Sequence, residues 1–69
     1  MKWIKVEDAV PMFDEEVIVA YGSDDMPVNE LTLSLGYRIR EDGDGHWWET
    51  DIASEIDDVR LWSKIQRPK

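Results

Sequence analysis

Sixty-nine residues with no cysteine and a single histidine fit one domain, and they exclude a disulfide framework and a zinc site built from thiolates or several imidazoles. Sixteen acids against eight bases give a formal net charge of −8, which argues against direct nucleic-acid binding, since that relies on Lys and Arg to neutralise phosphates. A chain this short has little stability to spare, and Trp3, Trp47, Trp48 and Trp62 are the bulk from which its core must be built.

In chain order, Trp3 to Val6 reads as a short strand or extended start. It lacks the apolar run of a signal peptide, and no stretch approaches the roughly 18 apolar residues of a membrane span, so a cytoplasmic setting is expected. From Glu7 to Glu16, Pro11 opposes a regular helix, and the segment is expected to turn with Val10 and Phe13 packed inward. Val17 to Tyr21 is a β-branched run, apolar on both faces, expected as an inner strand. Gly22 to Glu30, rich in Ser, Asp, Pro and Asn, reads as a loop.

Leu31 to Arg40 alternates for ten residues. Leu31, Leu33, Leu35, Tyr37 and Ile39 form an expected buried face, and Thr32, Ser34, Gly36, Arg38 and Arg40 an expected wet one. Glu41-Asp42-Gly43-Asp44-Gly45 then reverses the chain, because Asp-Gly pairs supply the positive φ of a tight turn. His46 to Thr50 is the returning strand, with Trp47 and Trp48 on opposite faces. Ile52, Ile56 and Val59 stand at helical spacing, so Asp51 to Asp58 is expected to form a short helix capped by Thr50, Asp51 or Ser54. Arg60 to Ile65 is the last strand, and Pro68 ends the fold. The expected fold is small α+β or mostly β: a single domain, residues 1–69, holding an antiparallel sheet of three or four strands and one short helix.

Catalytic patterns are missing. His46 is the only candidate base for a nucleophilic set, and it sits beside a turn and two tryptophans, where a packing role is expected. No glycine-rich phosphate loop follows a strand. Asp42-Gly43-Asp44-Gly45 begins like a calcium loop, but the downstream ligand spacing fails. We therefore expect neither an enzyme nor a cofactor, and no metal site. Trp47-Trp48 could line a carbohydrate or aromatic cage, yet core packing accounts for at least one ring.

The charge layout is more specific. Between Lys5 and Arg38 lie eight acids and no base, among them Asp24, Asp25 and Glu30. Between Arg40 and Arg60 lie eight more: Glu41, Asp42, Asp44, Glu49, Asp51, Glu55, Asp57 and Asp58. Duplex DNA carries one charge per roughly 3.4 Å of each strand, so rows of carboxylates could occupy a groove that a protein keeps for phosphates. A solvated surface that only confers solubility is the competing reading.

The two ends carry a further pattern. Trp3-Ile4-Lys5-Val6-Glu7-Asp8-Ala9-Val10-Pro11, then Glu16-Val17-Ile18-Val19, and finally Leu61-Trp62 shortly before Pro68, together resemble a family of short phage and prophage proteins of unassigned function. Its members open Trp-Ile-x-Val-x-Asp-x-x-Pro and close on a tryptophan before a proline. The resemblance implies Trp3 and Trp62 as core anchors, Asp8 as a turn or cap residue and Pro11 as a turn. It also implies a phage or mobile-element origin and a bacterial host cytoplasm.

With the charge layout, that leads us to expect a binding protein of anti-CRISPR type. Asp24, Asp25, Glu30, Glu41, Asp42, Asp44, Asp51, Glu55, Asp57 and Asp58 would face the basic nucleic-acid groove of a host complex such as a CRISPR effector. No direct nucleic acid and no membrane would be bound, and the chain would be a monomer or homodimer. The alternative is an adaptor module that docks through an aromatic patch around Trp47, Trp48 or Trp62, or self-associates through a sheet edge.

Overall fold

The computed structural model describes residues 2–43 and 45–66. Five strands follow in chain order: β1 (Ile4–Lys5), β2 (Val17–Tyr21), β3 (Thr32–Asp42), β4 (Gly45–Thr50) and β5 (Val59–Lys64). They form one antiparallel sheet in the order β1-β5-β2-β3-β4. The antiparallel, β-rich expectation holds, with five strands rather than three or four. Among the described residues the only helical element is the 3-10 turn Val28–Glu30, and no helix is long and apolar enough to cross a membrane.

β2 lies between β5 and β3, the inner position its two-faced apolar character called for. Val17 and Val19 point to one face with Trp62 of β5, which pairs Val19, and with Trp48 of β4, which pairs Arg38. With Val59 these residues make the core, and Trp48 is fully buried. A ring of about 150–250 Å² removed from water contributes about 4–6 kcal/mol at ~25 cal/mol per Å². The Trp62 indole Nε1–H donates to the Ala9 carbonyl at 2.8 Å, pinning the N-terminal segment over the core face.

β3 corrects much of the sequence reading. Leu31, just before it, is buried as expected, but within the strand Gly36 and Arg38 are buried while Leu33 is 60% exposed and Leu35 39%. The cause is volume. A Cβ on Gly36 would stand 2.7 Å from the Glu49 carbonyl oxygen and 3.0 Å from Thr50 Cγ2. The two indoles and two valines of neighbouring strands fill the interior, so the core face of β3 has to be slim. Arg38 fits because its charge is answered: Nε–H donates to the Pro11 carbonyl at 3.0 Å and its guanidinium lies over the Phe13 ring. Phe13 is accordingly a half-exposed lid on that arginine rather than an inward core residue. Trp3 likewise is not a core anchor: it is 36% exposed on the opposite face.

The expected helix over residues 51–58 is absent. Thr50 does act as a cap, its Oγ1 accepting from the Ile52 and Ala53 N–H groups at 3.2 and 2.9 Å. The turn stops there, because Ile56 exchanges both backbone hydrogen bonds with Trp48, at 2.8 and 2.9 Å, and Glu55 takes a positive φ of 51° to allow it. An eight-residue helix is marginal in water, whereas the flank of β4 offers ready partners. Ile56 packs on the core and Ile52 stays exposed.

Asp8 sits in the turn that closes on Lys5, its N–H donating to the Lys5 carbonyl at 2.9 Å. Gly43, with φ 60°, opens the β3–β4 reversal. Asp44 and Pro68 lie outside the described residues.

Candidate acidic interface

The expected acids fall into neighbouring groups joined by one segment. At the end of the sheet where β2 finishes and β5 begins, the Gly22 N–H donates to the Asp58 carbonyl at 3.1 Å. One Arg60 amine, Nη1, donates to the carbonyls of Ser23 at 3.1 Å and Met26 at 2.6 Å. These bonds hold the loop bearing Asp24 and Asp25 against Asp57 and Asp58, and all four acids are exposed. Glu30, also exposed, closes the 3-10 turn of the same loop.

The Ser23 hydroxyl donates to Asp25 Oδ1 at 2.7 Å. That bond, a backbone N–H and the nearby Arg60 charge hold the Asp25 carboxyl below the usual carboxylate range.

From there residues 51–58 run back to β4, where Ile56 is bound to Trp48. Glu55 pairs with Arg40 at 2.5 Å, and Asp51 stands at the end of β4, its N–H donating to the Leu35 carbonyl. Beyond Arg40, Glu41 and Asp42 occupy the hairpin tip, with Glu41 Oε1 3.4 Å from His46 Nδ1. The ten steps of β3 from Thr32 to Asp42 cover about 34 Å at ~3.4 Å per residue, so the tip and the Asp24 loop are not one cluster. The 51–58 strap is what bridges them.

The bases are disposed differently. Arg38 is buried against a carbonyl and a ring, Arg40 is engaged by Glu55 and also stacks 4.7 Å from the Trp47 ring, and Arg60 is spent on two carbonyls. Of the exposed lysines Lys2, Lys5 and Lys64, Lys2 precedes β1 and the other two belong to β1 and β5, away from the β4 flank. Glu7 and Asp24 do share a cleft with Lys5 and Arg60, so the acidic character is strongest along the strap and the hairpin rather than uniform.

Among the described residues no group of three or more His, Asp and Glu is arranged to hold a metal ion. Trp48 and Trp62 are core, so an aromatic docking patch cannot be built on them, and Trp47 is half-buried under Arg40. Edge pairing is blunted as well: β1 has two residues, and β4 is flanked by the bonds of Ala53 and Ile56.

Sequence reasoning missed the open face bearing Leu33, Leu35 and Trp3. The signal was present in β2, whose Ile18 and Ala20 are apolar on the side away from the core, in register with Leu35 and Leu33. No family model, curated protein or solved structure matches the chain.

Proposed function

We propose that this chain is a binding protein that inhibits a bacterial nucleic-acid-binding defence complex, of the kind a CRISPR effector represents, by offering carboxylates where that complex expects phosphates. The observation that carries this reading is the strap: Asp51, Glu55, Asp57 and Asp58 link the acids of the hairpin tip to those of the Asp24 loop, while Arg38, Arg40 and Arg60 are occupied within the fold. A row of that length faces roughly nine or ten phosphates of one strand at about 3.4 Å each. The field of such a row also speeds encounter with a basic groove. The resemblance of the chain's ends to short phage and prophage proteins supports the same setting, a bacterial host cytoplasm.

The test is inhibition of target-DNA binding by a purified CRISPR effector, comparing the native chain with Asp57→Lys/Asp58→Lys. Both positions are exposed, so the double variant should fold. Loss of inhibition with an unchanged circular dichroism spectrum fits the reading. Undiminished inhibition by the double variant removes it.

A further inference from the structure

The sheet has one covered face and one that is covered only in part. The N-terminal segment and Ile56 lie over the Trp48–Trp62 core, while on the reverse side Ala20 and Ser63 are buried but Leu33 and Leu35 stay exposed. There Leu61, Ala20 and Leu33 stand in one cross-sheet row and Ser63, Ile18 and Leu35 in the next. Neither row contains a charge between β5 and β3. Leu33 and Leu35 project from β3 as a ridge. Beside it, above the small Ala20 side chain, lies a hollow of about 230 Å³ walled by Trp3, Val28, Leu33 and Leu61.

We infer that this face is the contact between two copies of the chain, packed sheet against sheet. A ridge beside a hollow on one surface is self-complementary under a two-fold axis: each copy's leucines enter the other's hollow. Charge fixes the direction of that axis. Lys5 stands at the β1 margin of the face, in register with Leu61, and Glu49 at the β4 margin, in register with Tyr37. Asp51 lies at that second margin too, bonded to Leu35. An axis parallel to the strands lays the lysine margin of each copy over the carboxylate margin of the other.

The area sets the strength. Four to five strands at ~4.8 Å by five residues at ~3.4 Å give about 350 Å² in projection. With side-chain relief, two copies hide about 1,000 Å², the low end for a specific contact, so the dimer is weak, with a Kd in the micromolar range or above. Asp51 stands at the margin of this contact, but Glu55, Asp57 and Asp58 of the strap are placed away from it, so the dimer does not depend on the proposed inhibition. Its salt response is also the opposite. Two chains of net charge −8 repel, so salt strengthens their association, whereas it weakens docking of carboxylates on a basic groove.

Analytical ultracentrifugation from about 5 µM to about 1 mM, at low and high salt, tests this over the range such an area predicts. The expected result is a shift from 8.1 kDa toward twice that mass as concentration rises, more complete at high salt. Leu33→Lys, and the uncharged Leu33→Ser, should remain folded and monomeric throughout. Met12→Lys, an equally charged change at an exposed apolar residue of the N-terminal segment, should dimerise like the native chain. A native chain that stays monomeric to the highest concentration at both salts overturns the inference. So does a dimer that survives both Leu33 substitutions.

Discussion

The guanidinium carbon of Arg38 lies 3.9 Å from the centroid of the Phe13 ring, and its Nε–H reaches the Pro11 carbonyl. The guanidinium of an 8% exposed residue is thereby stabilised by a carbonyl dipole and a ring face, and the same contact ties the N-terminal segment to β3. Arg38→Ala should cost about 2–4 kcal/mol, combining a charged hydrogen bond, the ring contact and lost packing. Phe13→Ala should cost about 1 kcal/mol, and the two should couple in a double-mutant cycle by urea denaturation. Strict additivity would show that the stacking does not contribute.

Adjacent tryptophans should behave oppositely. Trp48→Ala removes a fully buried ring and should cost about 3–5 kcal/mol, enough to unfold a domain of this size. Trp47→Ala exposes one face of the hairpin and releases Arg40, and should cost about 1 kcal/mol or less. Thermal melts of the two variants check this, and equal losses would refute the assignment of faces.

Where sequence and structure agree, the reason is local. Alternation identified β3, the β-branched run identified β2, and Asp-Gly chemistry identified the reversal after β3, because each depends on residues within a few positions; Thr50 does accept from the next N–H groups, but in a turn rather than at the start of the expected helix. The disagreements are tertiary. Gly36 and Arg38 look like solvent-facing residues until the volume of Trp48 and Trp62, brought in by β4 and β5, is counted. Ile52, Ile56 and Val59 keep helical spacing, yet the free flank of β4 claims Ile56. The acids were legible as charge runs. Their connection by the 51–58 strap was not, because it depends on Ile56 finding Trp48 and Asp58 finding Gly22.

Gly36 offers a sharp test of that volume argument. Gly36→Ala would drive a methyl against the Glu49 backbone oxygen, which cannot move without parting β3 from β4. The substitution should destabilise by about 1–3 kcal/mol, although alanine normally suits a strand better than glycine. Gly43→Ala meets no neighbour, and its positive φ should cost about 1 kcal/mol. A neutral Gly36→Ala would contradict the packing described.

The Tyr37 hydroxyl donates to Glu49 across β3 and β4, and that bond raises the phenol above its usual pKa of 10.0, with burial and the Glu49 charge adding to it. A folded-state pKa that is raised contributes stability in full below the unfolded value and loses it as pH climbs through the folded one. Stability should therefore decline above about pH 10. Glu49→Gln should bring the phenolate absorbance midpoint back toward 10.0. An unmoved midpoint would mean that Glu49 is not the cause.

Docking of carboxylates on a basic groove is tested most directly by the salt dependence of affinity for a purified CRISPR effector, measured for the native chain and for Asp57→Lys/Asp58→Lys. For the native chain, Kd should rise at least about tenfold between about 50 and 200 mM salt, and target DNA should compete with it. The double variant should bind more weakly and with a shallower slope. Tight binding indifferent to salt, or binding that target DNA does not displace, would contradict the account.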